Sequence, residues 1–81
     1  MSLVAGIDLG SGRTKVVLVD ETGTIHGRGV GRTKGDFEAV ANEALEAALA
    51  EGRTSRAELR YAATTGLGRY SVSFRDIQIT D

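Results

Sequence analysis

The chain has 81 residues, 10 basic and 11 acidic, with one histidine and no cysteine. That length holds one small domain at most, and the lack of cysteine removes disulfides, thiolate zinc sites and iron–sulfur ligation from within it. The net charge of −1 argues against a nucleic-acid partner or a membrane surface, and no apolar run reaches the roughly 18–20 residues of a membrane span, so a cytoplasmic location is expected. Glycine occurs 11 times and proline never, which suggests tight turns and close backbone approach rather than a disordered linker.

Residues 3–9 (LVAGIDL) are short and apolar and run into a glycine–serine turn, the pattern of a buried strand. Residues 14–20 (TKVVLVD) predict a second strand, whose valine and leucine run suits a central strand buried on both sides. Gly10-Ser11-Gly12-Arg13 joins the two as a β-hairpin. Residues 20–23 (DETG) predict another hairpin turn, followed by a third strand at 24–32. Gly27, Gly29 and Gly31 mark that strand as an edge or a bulged one.

Residues 37–51 predict a helix. Phe37, Val40, Ala41, Ala44, Leu45, Ala48 and Leu49 recur at helical spacing on one face, Asp36 stands at the N-cap, and Gly52 follows the last turn. Alanines in the stripe imply close packing on a sheet. A polar connector follows, in which Arg53, Arg56 and Arg60 read as a solvated face. Residues 59–64 (LRYAAT) predict a fourth strand with Tyr61 in packing, ending in a glycine loop at 64–69 (TTGLGR). Beyond residue 70 the pattern divides. Val72 and Phe74 alternate as in a strand, whereas residues 77–81 (IQITD) suit the start of a helix.

The stretch that carries chemistry is residues 7–15 (IDLGSGRTK). An aspartate ends a strand, a Gly-Ser-Gly turn follows, and a lysine opens the next strand. The glycines Gly10 and Gly12 allow turn amides to approach phosphate oxygens, Ser11 adds a hydroxyl donor, and Lys15 adds a positive charge to the same phosphates. Asp8 supplies the single carboxylate that hydrated Mg²⁺ requires. The alternative is a plain hairpin in which Asp8 closes the turn by bonding its amides. A dinucleotide fingerprint fails because Lys15 stands where the last glycine belongs and a strand follows. No segment supplies a Walker lysine before a helix, and His26 lacks triad partners and reads as a surface residue.

GIDLGSGRTK at residues 6–15 resembles the first phosphate motif of the actin/Hsp70/sugar-kinase superfamily. YAATTGLGR at residues 61–69, followed by SVSFRDIQITD, resembles the BadF/BadG/BcrA/BcrD ATPases: benzoyl-CoA reductase ATPase subunits and 2-hydroxyacyl-CoA dehydratase activators. The resemblance covers residues 5–81 and implies an α/β fold. The expected architecture is the N-terminal part of an actin-like (ribonuclease H-like) ATPase lobe, incomplete, in the order β-β-β-α-β, with residues 1–81 forming one partial domain. It implies ATP and Mg²⁺ as cofactors and a 4Fe-4S cluster in the longer parent, although this chain has no cysteine to hold one. The implied function couples ATP hydrolysis to low-potential electron transfer for reduction of a CoA thioester. Implied partners are a homologous ATPase subunit and a CoA-thioester reductase or dehydratase component, with no nucleic acid and no membrane.

By match, Asp8 would be the Mg²⁺-side carboxylate, and Gly10, Ser11, Gly12 and Lys15 would meet the phosphates. Thr65, Gly66, Gly68 and Arg69 would lie on a loop facing the cleft, without a defined role. The second phosphate motif and the second lobe of the family have no counterpart in these residues, so the chain reads as an N-terminal fragment with little ATPase activity alone. A sugar or N-acetylhexosamine kinase and a non-catalytic nucleotide switch of the same superfamily remain as alternatives.

Overall fold

A computed structural model describes residues 2–32 and 36–66, and the backbone of 77–78. Five strands form one sheet in the order β3-β2-β1-β4-β5. They are β1 (Leu3–Leu9), β2 (Arg13–Asp20), β3 (Ile25–Arg32), β4 (Leu59–Gly66) and the short β5 (Ile77–Gln78), with α1 (Phe37–Glu51) between β3 and β4. β1, β2 and β3 pair antiparallel, whereas β4 runs parallel to β1 and β5 parallel to β4.

Strand alternation sorts the residues into two faces. Leu3, Ala5, Ile7 and Leu9 of β1, Thr14, Val16 and Leu18 of β2 and Ala62 and Thr64 of β4 are buried on the face that carries α1, which packs chiefly over β3 and β2. The helix meets them with its predicted stripe: Val40, Ala41, Ala44, Leu45, Ala48 and Leu49 are buried, and Phe37 is half-buried at the margin. Burying a side chain such as Leu45 contributes about 1.5–3 kcal/mol. Asp36 Oδ1 accepts the Ala39 amide at 3.1 Å, so the predicted N-cap forms. Gly52 ends the helix with a right-handed φ of −79°, its amide donating to the Ala48 carbonyl at 2.9 Å. The left-handed residue that follows is Arg53, with a φ of 54°.

The glycines of β3 have a packing cause. β3 is the sheet edge, as expected, and its register with β2 shifts between Leu18 and Val19. Gly27, Gly29 and Gly31 all face α1. A Cβ at Gly29 would strike the Ala44 carbonyl, one at Gly27 the Ala48 carbonyl, and one at Gly31 would sit 2.7 Å from Val40 Cγ2. Glycine on the strand and alanine on the helix let two backbones touch.

Three expectations require correction. β2 is not buried on both sides: Val17 and Val19 point to the face away from α1, where no described element covers them, and they are half-buried. Tyr61 lies on that same face and is 42% exposed, so it is not a core packing residue. Ile77–Gln78 add to the sheet beside Ala63 and Thr64 instead of opening a helix, because a free β4 edge was there to receive them. The reading of Val72 and Phe74 lies outside the described residues. Arg53 and Arg60 are solvent-exposed as expected, and the exposed Arg56 donates to Glu46 Oε2 at 2.8 Å and to Asn42 Oδ1 at 2.6 Å.

Candidate phosphate site

The β1–β2 turn is closed by its own backbone. The Gly10 amide donates to the Arg13 carbonyl at 3.1 Å, and a Cβ at Gly10 would meet that same oxygen at 2.9 Å, so the turn is tight enough to demand glycine there. Ser11 and Gly12 stand out into solvent. Among the described residues their amides have no backbone partner.

Register then fixes the side chains. Leu9 pairs with Thr14 on the helix-covered face, so the next pair, Asp8 and Lys15, falls on the open face, directly opposite across the two strands. Both are exposed. Opposed Cβ atoms in an antiparallel pair lie about 4.5–5.5 Å apart, so a carboxylate and an ammonium flank one narrow strip below the turn. Among the described residues neither side chain has an ion-pair or hydrogen-bond partner. Asp8 therefore does not bond the turn amides, which is what the plain-hairpin reading requires of it.

The second motif arrives at the same strip from the other side. β4 continues two residues past its predicted end, and Thr65 and Gly66 pair with Asp8 and Leu9 of β1. These two are strand residues, not loop residues, and Thr65 shares the open face with Asp8. Gly66 has a φ of 93°, and a Cβ there would lie 2.5 Å from the Leu9 carbonyl and 3.0 Å from Asp8 Oδ1. Any larger residue would push on Asp8 itself. Gly68 and Arg69 lie outside the described residues. A groove of about 320 Å³ runs along this face, with Gly6, Val17 and Ala63 as its apolar floor and Asp8, Lys15 and Thr65 at its polar end.

A larger concavity, about 490 Å³, lies at the opposite end of the sheet among Leu3, His26, Arg53, Thr54 and Glu58. Its histidine is already engaged. His26 Nε2 donates to Asp20 Oδ2 at 2.6 Å, because a carboxylate can only accept. His26 is half-buried by this contact, less of a surface residue than expected. With the Thr22 hydroxyl and the Thr22 and Thr24 amides also donating, the Asp20 carboxyl is held well below the usual carboxylate range, chiefly by His26 and then by the Thr22 hydroxyl.

The donor set fits hydrated Mg²⁺, which keeps several waters and takes one or two carboxylates. Asp8 is such a lone carboxylate, and among the described residues no three His, Cys, Asp or Glu side chains gather as a closed metal cage would require. A 4Fe-4S cluster does not fit, for the chain contains no cysteine.

A family model described as the BadF/BadG/BcrA/BcrD ATPase family matches residues 5–80. The chain belongs to this family. Among solved structures it is similar to component A of the (R)-2-hydroxyglutaryl-CoA dehydratase of Acidaminococcus fermentans, with a TM-score of 0.88 at 18% identity over 99% of this chain and 31% of that one. It is also similar to the activator of the 2-hydroxyisocaproyl-CoA dehydratase from Clostridium difficile with bound ADPNP, with a TM-score of 0.85 at 24% identity over 96% of this chain and 29% of that one. The chain thus spans less than a third of either structure. At these identities the likeness speaks for the fold: the β-β-β-α-β order is the N-terminal part of an actin-like ATPase fold. A search of curated proteins returned no match. Among the described residues no helix is long and apolar enough to cross a membrane.

Sequence reasoning named the two ends of the site but not their junction. The parallel β1–β4 register that brings Thr65 beside Asp8 has no local signal; only the small residues Ala62, Ala63, Thr64 and Gly66 hint that β4 lies close against a neighbour.

Proposed function

We propose that the chain is the N-terminal part of an ATPase subunit that couples ATP hydrolysis to low-potential electron transfer for reduction of a CoA thioester. The type is that of benzoyl-CoA reductase or of a 2-hydroxyacyl-CoA dehydratase activator. Family membership supports the ATPase assignment, and the ADPNP carried by the Clostridium difficile activator supports a nucleotide as ligand. The observation that carries the reading is the Asp8–Lys15 pair, in register beside the exposed Ser11 and Gly12 of the turn and without a side-chain partner among the described residues.

In this reading the Ser11 and Gly12 amides and the Ser11 hydroxyl donate to phosphate oxygens, with Gly10 keeping the turn tight. Lys15 neutralises the same oxygens from β2. Asp8 orients hydrated Mg²⁺ through its waters, and the ion supplies charge neutralisation for phosphoryl transfer when bound. Thr65 and Gly66 hold the far side of Asp8 in place. Attack on the phosphate requires groups beyond these residues, since positioning comes from both sides of the nucleotide. The proposed partners are a homologous ATPase subunit and a CoA-thioester reductase or dehydratase component, in the cytoplasm. Any 4Fe-4S cluster would have its ligands outside this chain.

The test is steady-state ATP turnover and ATP-dependent reduction of the CoA-thioester component by the complete protein. Asp8→Asn should lower both by roughly 10–100-fold while the melting temperature stays unchanged. Near wild-type turnover in that variant would end the reading.

A further inference from the structure

Cations gather on the open face of the sheet, whereas α1 and the connector after it carry charges of both signs, Arg56 with Glu46 among them. On the open face of β2 and β3 stand Arg13, Lys15, Arg28 and Arg32, and among the described strands Asp8 is the carboxylate they share that face with. The exposed Glu43 and Glu46 belong to α1, which covers the opposite face of the sheet. A near-neutral chain thus presents a locally cationic strip beside the phosphate turn.

Within that strip Arg13 pairs directly with Arg32 across β2 and β3, and both are exposed. Like charges directly opposite each other are unfavourable, and cross-strand neighbours ordinarily oppose sign or pack apolar surface. Among the described residues neither guanidinium has a carboxylate or hydrogen-bond partner. Their position says what could relieve the repulsion. Arg13 is the last residue of the turn, its carbonyl closing it at Gly10. It is also two residues before Lys15 on the same face, about 6.6–6.8 Å along the strand. An anion held by the turn amides and Lys15 lies within an arginine's reach of Arg13, with Arg32 alongside at the sheet edge. The planar guanidinium fork takes phosphate oxygens two at a time, which suits a terminal phosphoryl group with three free oxygens.

We propose that Arg13 and Arg32 form a cation pair that reads the terminal phosphate of a nucleoside triphosphate and distinguishes it from a diphosphate. This rests on the Gly10–Gly12 turn being the phosphate site. The two arginines add charge where a third phosphate adds it, and they stand at the open edge of the strip, away from Thr65 and the β1–β4 junction. A diphosphate satisfies the turn and Lys15 and leaves the pair unpaired.

Calorimetric titration of the complete protein with MgATP and MgADP, at fixed ionic strength, tests this. Wild type should bind MgATP at least about tenfold more tightly than MgADP, the scale of one charge-assisted contact. The double variant Arg13→Gln/Arg32→Gln should lose that preference while its MgADP affinity stays within about threefold of wild type. Lys15→Ala should weaken both nucleotides. Without nucleotide, the double variant should melt at or above the wild-type temperature, because a like-charge pair has been removed. An ATP preference that survives the double substitution, or one absent from wild type, overturns the inference and leaves the turn as a phosphate site. A lower melting temperature marks the arginines as structural and overturns it too. Failure of wild type to bind either nucleotide removes both the inference and the phosphate site.

Discussion

Two β-hairpins in this protein carry an aspartate at or near the turn, and they use it in opposite ways. At the β2–β3 turn, Asp20 Oδ1 accepts from the Thr22 amide at 2.9 Å, the Thr22 hydroxyl at 2.7 Å and the Thr24 amide at 3.1 Å, while Oδ2 takes His26. Four hydrogen bonds to one carboxylate are made within seven residues of chain. At the β1–β2 turn the backbone closes itself through Gly10 and Arg13, and Asp8 stands in solvent opposite Lys15 without a partner among the described residues. An aspartate that builds a turn is saturated by that turn. One left open beside a lysine and the exposed Ser11 and Gly12 is available to something else, which is the proposed difference between scaffold and site.

The comparison can be broken from either end. The largest effect is expected at the open turn: Lys15→Ala should weaken MgATP binding by about 10–100-fold with no fall in melting temperature, measured by calorimetry and thermal melts. Combined with Asp8→Asn the loss should be smaller than the product of the two, because both act on the same phosphates. Next comes the junction. Gly66→Ala puts a Cβ against the Leu9 carbonyl at a positive φ, which should destabilise by about 1–3 kcal/mol in urea unfolding and also lower MgATP affinity by displacing Asp8. Strain without loss of affinity would show that the second motif does not support the site.

At the saturated turn the effects are thermal and smaller. Asp20→Asn should lower the melting temperature and leave nucleotide binding intact. The pH dependence follows from the depressed Asp20 carboxyl. Its stabilisation is present above the unfolded-state value, about pH 4, and is lost as pH falls below that towards the lower folded value. Wild type should therefore lose melting temperature between about pH 5 and pH 3 more steeply than Asp20→Asn does. Parallel slopes would mean that Asp20 gains nothing from His26 and Thr22.

How much of this was legible depended on whether the cause was local. The helix boundaries follow from an i, i+3, i+4 stripe with Asp36 before it and Gly52 after it, all properties of one segment. The opposition of Asp8 and Lys15 is also local, because a four-residue connection between Leu9 and Thr14 sets the register. The end of β4 was misplaced because Thr65 and Gly66 look like a loop in isolation; only β1 alongside, with Leu9 and Asp8 to pair with, makes them strand. The glycines of β3 mark an edge strand, as found, but do not say why glycine is needed there. Their cause is the Ala44 and Ala48 carbonyls of a helix that the strand pattern cannot see. Val17 and Val19 read as core because their hydrophobicity carries no information about which face is covered.

The central claim is that Asp8 holds Mg²⁺ for a nucleotide while Asp20 holds only its turn. The direct measurement is ATP affinity with and without Mg²⁺ in the complete protein, for wild type, Asp8→Asn and Asp20→Asn. Mg²⁺ should strengthen ATP binding in wild type and in Asp20→Asn and have little effect in Asp8→Asn, which should melt like wild type. An undiminished Mg²⁺ effect in Asp8→Asn would contradict the account.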